Sequence, residues 1–475
     1  MRIAVAGSSG FVGARLIEHL VLTTTCQIAA LSRGGAALSH ERVEGISADF
    51  FSLANAELAL KDCSVAFYFL HSMIPSNRLS QGSFEDFDFI LADNFARAAK
   101  LCGVKKIIYV GGIAADHAVN LSQHLRSRLE VEQVLGSYGI PLTTIRCSLV
   151  IGAEGSSFQI LNKLVSRLPS MLLPSWCDTE CQPVAIEDLV RVLSLTIFKT
   201  DLDSRCIDLG SPELFTYKKL IQLTAEVAGL KRKFITIPAI PVFLSKLWVM
   251  LITGASRSLV YPLIDSLNHP MTVRIDHRIN DNLLPSFKPI KEALYQAIHE
   301  KKIPAKKQKT RSLSSQPSQA VLDGKLVKSV QRLHRPEGFH ALKVSRFYFS
   351  WLSRYFNGVI NVKNQSETSQ FFLHFLSRPL LELTFSPNRS TPDRQLFYIN
   401  GGLLANVNGK GRLEFRESPV SPHIFAAIHD FKPALPWWIY RIFQASAHRF
   451  VMWAFGNFLL RIDTKNKLRK RGHSK

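Results

Sequence analysis

Gly7-Ser8-Ser9-Gly10-Phe11-Val12-Gly13 carries the sharpest chemical signal in the chain. Its GxxGxxG spacing lies directly after an apolar run, Ile3–Val5, and directly before a helical pattern, Val12–Leu22. Glycines so spaced permit a tight turn and let the backbone approach a diphosphate. The helix N-terminus beside them supplies unpaired N–H groups and partial positive charge. These seven residues are candidates to hold a dinucleotide; a plain flexible turn is the competing reading. The next apolar run ends in Leu31-Ser32-Arg33, with no carboxylate where an NAD site places Asp or Glu on the ribose 2′-hydroxyl. Ser32 can donate to a 2′-phosphate and Arg33 can pair with it, which favours NADP(H) over NAD(H). An ordinary surface arginine is the alternative. Asp49-Phe50 is a candidate adenine contact, or a turn capped by Asp49.

The elements that must position these residues are legible as alternating periods. Apolar runs Arg2–Ala6, Gln27–Ser32, Val65–Leu70, Lys106–Val110 and Leu142–Arg146 alternate with helical patterns Val12–Leu22, Asp86–Cys102 and Ser122–Tyr138. Near-continuous apolar strands separated by helices predict a parallel sheet covered on both faces. Residues 151–300 read as more helical, interrupted by Ile237-Pro238-Ala239-Ile240-Pro241.

The 475 residues carry a net charge of +22, unevenly placed. Residues 1–300 hold 29 Lys+Arg against 28 Asp+Glu, and residues 301–475 hold 30 against 9. The second region is therefore expected to meet an anionic partner, and the first is not. Seven cysteines, all within the first 206 residues and without framework spacing, predict a reducing, cytoplasmic setting. The start MRIAVAGSSG has no signal-peptide pattern. Cys177 and Cys181 have no further ligand at zinc spacing, so no metal is expected. No G-x-S-x-G elbow is present.

MRIAVAGSSGFVG, VAFYFLHSM, IIYVGGIA, HLRSRLEVEQVL and IPLTTIRCSLVIG resemble the atypical short-chain dehydrogenase/reductase family, in its YbjT-like and NmrA-like branch. That branch is related to the NAD(P)H-binding accessory subunit of respiratory complex I. The resemblance covers residues 1–300, with 151–300 as a small substrate-side lobe. It implies a Rossmann-type doubly wound sheet with the nicotinamide beside the ends of the fourth and fifth strands, near Leu70 and His71. Placing the family's Y-x-x-x-K helix on this chain puts His124 at the Tyr position and Arg128 at the Lys position. Gly111-Gly112 fall where the upstream hydroxyl belongs.

Two readings follow from that replacement. In one, His124 is a substitute acid and Arg128 anchors the nicotinamide ribose, with His71 as a further acid. The substrate is then an apolar carbonyl or quinone. In the other, the unit binds nucleotide without catalysis, as a sensor or assembly protein.

Residues 301–324 are expected to be a basic flexible linker and 466–475 a basic tail. Between them, residues 325–465 predict a separate α+β domain of helix-grip type. Its strands are expected at Gln370–Leu376, Leu380–Phe385, Gln395–Ile399, Gly402–Val407 and Gly411–Arg416, with a turn at Asn408-Gly409. Leu435–Leu460 contains Arg441 and Arg449, which disfavours a membrane span. Its Trp438, Ile439, Phe443, Phe450 and Trp453 are expected to face a core. The alternative is a helix lying on an anionic membrane, peripheral on its inner face. Specific nucleic-acid binding is not expected, since charge is present without a recognition signature.

Overall fold

The computed structural model describes residues 1–35, 38–72, 80–114, 120–237, 240–279, 286–300, 311–312, 326–407 and 411–472. They form two compact units. The first takes Met1–Ile74 and Asp88–Ser315, and the second takes Pro75–Phe87 and Gln316–Lys475. The division differs from a simple cut after residue 300. Ser80–Gln81 pair in parallel with Lys328–Ser329, which ties that short segment to the second unit's sheet. A two-residue strand has too little pattern to announce itself.

The first unit is built on seven parallel strands: β1 (Arg2–Ala6), β2 (Gln27–Ser32), β3 (Val43–Ser47), β4 (Val65–Tyr68), β5 (Lys106–Gly112), β6 (Leu142–Cys147) and β7 (Cys206–Leu209). Their order across the sheet is β7-β6-β5-β4-β1-β2-β3, which is the doubly wound Rossmann arrangement. Arg311–Ser312 pair beyond β3; the rest of the expected linker lies outside the described residues. Ile3, Val5, Ala30, Phe67 and Ile108 are essentially inaccessible, as strands covered on both faces require. Chain order runs through α1 (Phe11–Thr23), α2 (Leu53–Leu60), α3 (Phe84–Leu101) and α4 (Gln123–Gly136). The substrate-side lobe supplies α5 (Ser156–Arg167), α6 (Ile186–Phe198), α7 (Tyr217–Val227), α8 (Val242–Thr253), α9 (Arg257–Ser266) and α10 (Ile290–His299). Its second core gathers Phe158, Leu164, Trp176, Tyr217, Val260 and Ile264.

The second unit is a seven-strand antiparallel sheet: β8 (Val327–His334), β9 (Ile360–Gln365), β10 (Thr368–Leu373), β11 (Leu381–Phe385), β12 (Arg394–Gly401), β13 (Arg412–Glu417) and β14 (His423–Phe431). The order β9-β10-β11-β12-β13-β14-β8 returns the first strand beside the last. Helices α11 (Ala341–Tyr355) and α12 (Ala445–Gly472) share one core with this sheet, where Tyr348 meets Phe415 at 5.4 Å and Phe455 at 5.1 Å between ring centroids. The region is thus α+β.

Three expectations for it are corrected. Gly402–Val407 is no strand: Gly402 has φ +109°, and a Cβ there would stand 2.3 Å from the Leu380 carbonyl oxygen, so the chain turns away. The Asn408-Gly409 turn lies outside the described residues. The basic tail is helical at its start, since α12 continues through it to Gly472. The aromatic residues before it do not all face a core. Trp438, Phe443 and Trp453 are 64%, 65% and 64% exposed, while Gln444 and His448 keep buried polar atoms without hydrogen-bond partners. A helix opening on a π turn, Tyr440–Gln444, has shifted its inward face away from the apolar stripe. Among the described residues no helix is long and apolar enough to cross a membrane.

Candidate functional site

The glycine loop follows β1 and enters α1 as its spacing requires. Gly7 takes φ +91°, and a Cβ on it would lie 2.9 Å from the Phe69 carbonyl oxygen. A Cβ on Gly13 would stand 2.4 Å from the Gly7 carbonyl oxygen, so only glycine lets helix and loop meet. Gly10 caps α1 with no side-chain hydrogen bond, and no acid stands in the first turn. The leading N–H groups of α1 are left facing the loop, a ready acceptor for an anion.

Four buried polar atoms along the C-terminal edge of the parallel strands have no hydrogen-bond partner: Ser8 Oγ, Ser32 Oγ, Tyr68 OH and Arg128 Nε. An unsatisfied buried polar group costs about 1–3 kcal/mol, so four on one sheet edge call for a ligand that satisfies them. The edge is where an open α/β sheet binds dinucleotides. Ser8 sits in the diphosphate loop, and Ser32 closes β2 where a 2′-phosphate would lie, with Arg33 exposed beside it. The residues present therefore fit an NAD(P)H-type dinucleotide. The Asp49 carboxylate accepts from the Phe51 N–H at 3.1 Å, which makes the turn. Phe50 is 3% exposed, and its ring packs on Phe95.

Helix α4 is held by several bonds. Tyr109 OH donates to the Arg128 carbonyl at 3.2 Å, and Arg146 grips Glu132 at 3.0 and 2.8 Å. Ser122 caps the helix by accepting from the Leu125 N–H at 3.2 Å. Arg128 is thereby brought to Asp88 on α3 as a buried ion pair. The same carboxylate accepts from Ser127 Oγ at 3.2 Å and from the Ser72 N–H at 2.7 Å. Asp88 is wholly inaccessible, and it fixes at once the α4 arginine and the backbone after β4. Nothing in its local sequence marks it, since an acid in an early helical turn reads as solvent-facing.

His124, one turn before Arg128, lines an apolar cavity of about 230 Å³ with Gly111, Trp176, Tyr217, Ile264 and Met271. Burial, then the Arg128 charge, lowers its pKa to about 3. Its Nδ1 lies 3.2 Å from Ser266 Oγ, which donates to the Pro262 carbonyl at 2.8 Å. Ser266 Oγ also stands 2.9 Å from Ser122 Oγ, so His124, Ser266 and Ser122 form one hydrogen-bonded chain. Burial disfavours the imidazolium form of His124. His71 follows β4, and desolvation, then the Arg128 charge, lowers its pKa.

The cavity contains one group that its sequence neighbourhood did not reveal. Tyr217, at the first turn of α7, is 5% exposed, and its hydroxyl stands beside Ser148 and 3.8 Å from Met271 Sδ. Burial raises its pKa, Ser148 opposing the rise, so the phenol stays protonated at neutral pH. Trp176 Nε1, also buried and without a partner, lines the same space. All seven cysteines are free thiols, and burial pushes Cys177 and Cys181 up to about 12. Cys206, Asp208 and His277 approach one another, but Arg274 occupies the Asp208 carboxylate at 2.6 and 2.8 Å.

Comparison with known proteins agrees with this geometry. Residues 7–163 match the NAD(P)H-binding domain family. The auxiliary protein GraX of Staphylococcus aureus is 30% identical over 145 residues, 30% of this chain, and the match spans 43% of that protein's length. A nucleoside-diphosphate-sugar epimerase of Staphylococcus aureus superposes with a TM-score of 0.50 at 16% identity, over 62% of this chain and 100% of its own. The Citrobacter triphenylmethane reductase complexed with NADP(H) gives 0.48 at 20% identity, over 62% and 100%. Residues 7–163 are thus similar to NAD(P)H-binding domains, and they are built on the Rossmann-type fold that the resemblance to the atypical short-chain dehydrogenases/reductases implies.

Proposed function

We propose that the first unit is an NADP(H)-dependent reductase acting on an apolar carbonyl or quinone-like substrate. The observation that carries this reading is the juxtaposition at Arg128. Its unpartnered Nε belongs to the dinucleotide edge, and its side chain also lines the apolar cavity. When bound, the reduced nicotinamide supplies a hydride. Ser8 and the first N–H groups of α1 hold the diphosphate, and Ser32 with Arg33 hold the 2′-phosphate. Arg128, fixed by Asp88, holds the nicotinamide ribose.

The cavity wall excludes water and orients the apolar body of the substrate. Tyr217 donates a hydrogen bond, then its proton, to the substrate oxygen, and regains a proton from water that enters the cavity once product has left. His124 hydrogen-bonds a substrate hydroxyl or amide. NADPH consumption against a panel of apolar aldehydes, ketones and short-chain quinones tests the reading. Turnover with the wild type, lost in Tyr217→Phe with NADPH affinity kept, supports it.

A non-catalytic sensor is the second reading, favoured by the absence of a Tyr or Lys at the positions of His124 and Arg128. Tight NADPH binding without consumption of any panel member establishes it instead.

A further inference from the structure

Helix α8 presents a second apolar face. It packs Trp248, Met250 and Ile252 against the core and fully buries Ser245, Val249 and Thr253, while Phe243, Leu244, Leu247 and Leu251 are 64%, 44%, 41% and 69% exposed. Ser245 Oγ is buried without a partner, and Thr253 satisfies itself on the Val249 carbonyl at 2.7 Å. A helix folding against water turns its large apolar residues inward. One that presents them outward, on a single face, is shaped for an apolar or interfacial medium.

The charge around this face is mostly positive, with Asp265 as an acid among the cations. Residues 229–264 contain Lys231, Arg232, Lys233, Lys246 and Arg257 and no Asp or Glu; residues 155–177 add Lys163 and Arg167, again with no acid. These cations frame α8 directly. Arg167 on α5 donates to the Ile252 carbonyl at 2.5 Å, and Arg232 donates to the Val165 and Ser166 carbonyls at 2.8 and 3.0 Å. Lys246 pairs with Asp265, and Lys246 and Arg257 stand over the Tyr261 ring at 5.2 and 4.6 Å. An apolar helical face rimmed by lysines and arginines complements an anionic lipid surface, where the apolar side chains enter the acyl boundary and the cations meet phosphates.

The position of α8 links this surface to the cavity. It packs on α5 and α9, and those two helices supply Ile160, Leu161, Leu164, Val260, Leu263 and Ile264 to the cavity lining. We infer that α8 seats the first unit on an anionic bilayer, and that the cavity behind it takes a long-chain substrate dissolved in that bilayer. The substrate part rests on the reductase reading above; the docking part does not.

Two measurements on the full chain separate those parts. In flotation, the wild type rises with phosphatidylglycerol-containing vesicles at low salt, and rises less with pure phosphatidylcholine or at high salt. The Phe243→Gln/Leu247→Gln/Leu251→Gln variant stays at the bottom with its thermal melt intact, whereas Trp438→Ser/Trp453→Ser in the second unit still floats. A wild type that stays down, or an α8 variant that floats as well as the wild type, overturns the docking. A chain that self-associates instead, with dimers lost in the α8 variant, also overturns it.

In turnover, the α8 variant loses about ten-fold or more on a long-chain quinone dissolved in those vesicles, the order expected when three apolar side chains leave the interface. It keeps wild-type rates on a short-chain, water-soluble analogue. Equal loss on both substrates overturns the delivery role. Absence of turnover on both, with flotation as described, removes the reductase reading and leaves the docking standing.

Discussion

The dinucleotide edge and the cavity next to it are opposite kinds of construction. Along the edge, Ser8, Ser32 and Tyr68 keep polar atoms buried and unanswered, so the protein alone bears an unfavourable term that a bound ligand removes. Beside the neighbouring pocket, Asp88 holds Arg128, Ser127 and the Ser72 backbone, and Ser266 stands against His124, while Arg128 Nε and Trp176 Nε1 stay buried without a partner. The contrast teaches that binding and reaction are separately encoded. The edge is prepared for whatever phosphate-bearing molecule fills it. The pocket is prepared to keep a few groups still and dry, with Tyr217 and Trp176 as its open donors.

The largest effect that can break this contrast is Asp88→Ala. It leaves the Arg128 guanidinium charged and unpaired in the interior, and should destabilise the first unit by about 3–5 kcal/mol, read in a urea melt. A loss near zero would mean that the pair is not buried in solution. Next comes Tyr217→Phe, expected to lower turnover by about 10²- to 10⁴-fold, the range for a positioned proton donor, with NADPH affinity unchanged. Smaller is Arg33→Ala, which removes one charge-assisted contact. NADPH binding should weaken about 10- to 100-fold while NADH binding stays as it was, and equal weakening of both would move the phosphate elsewhere.

The smallest effect concerns pH. His124 and His429 have pKa values lowered to about 3, and His448 to about 4, from an ordinary 6.5, chiefly by burial. The unfolded chain takes up protons below about pH 6.5 that the folded chain refuses, so stability declines as pH falls from there. His124→Asn should flatten part of that decline. An activity limb near pH 6.5 that vanishes in this variant would show that His124 titrates normally and acts as an acid.

Much of the first unit was legible because each parallel strand is an uninterrupted apolar run and the glycine spacing has few physical uses. β3 and β7 escaped for local reasons. Val43–Ser47 includes Glu44 and Gly45, and Cys206–Leu209 is four residues long with an internal Asp208 that Arg274 neutralises. At the site, the positions of His124 and Arg128 on one helix face were readable, but their charge states were not. Those states depend on Asp88 and Ser266, which come from other elements. Tyr217 belongs to the same class of omission: only the fold brings α7 to the cavity.

In the second unit the strands from Thr368 to Phe385 stood out, and the orientation of the terminal helix did not. Its stripe of aromatics has the period of a core-facing surface, and its true inward face includes Ala445, Met452, Phe455 and Leu459. Periodicity gives the angle between faces without saying which one the sheet will meet. The same ambiguity applies to α8, where a second apolar face ended outside.

Calorimetric titration of the full chain, stripped of any copurified nucleotide, tests the central claim most directly. The account predicts one NADPH site per chain, tighter than for NADH, with the preference abolished by Arg33→Ala. No heat with either coenzyme, on protein shown to be folded, would contradict it.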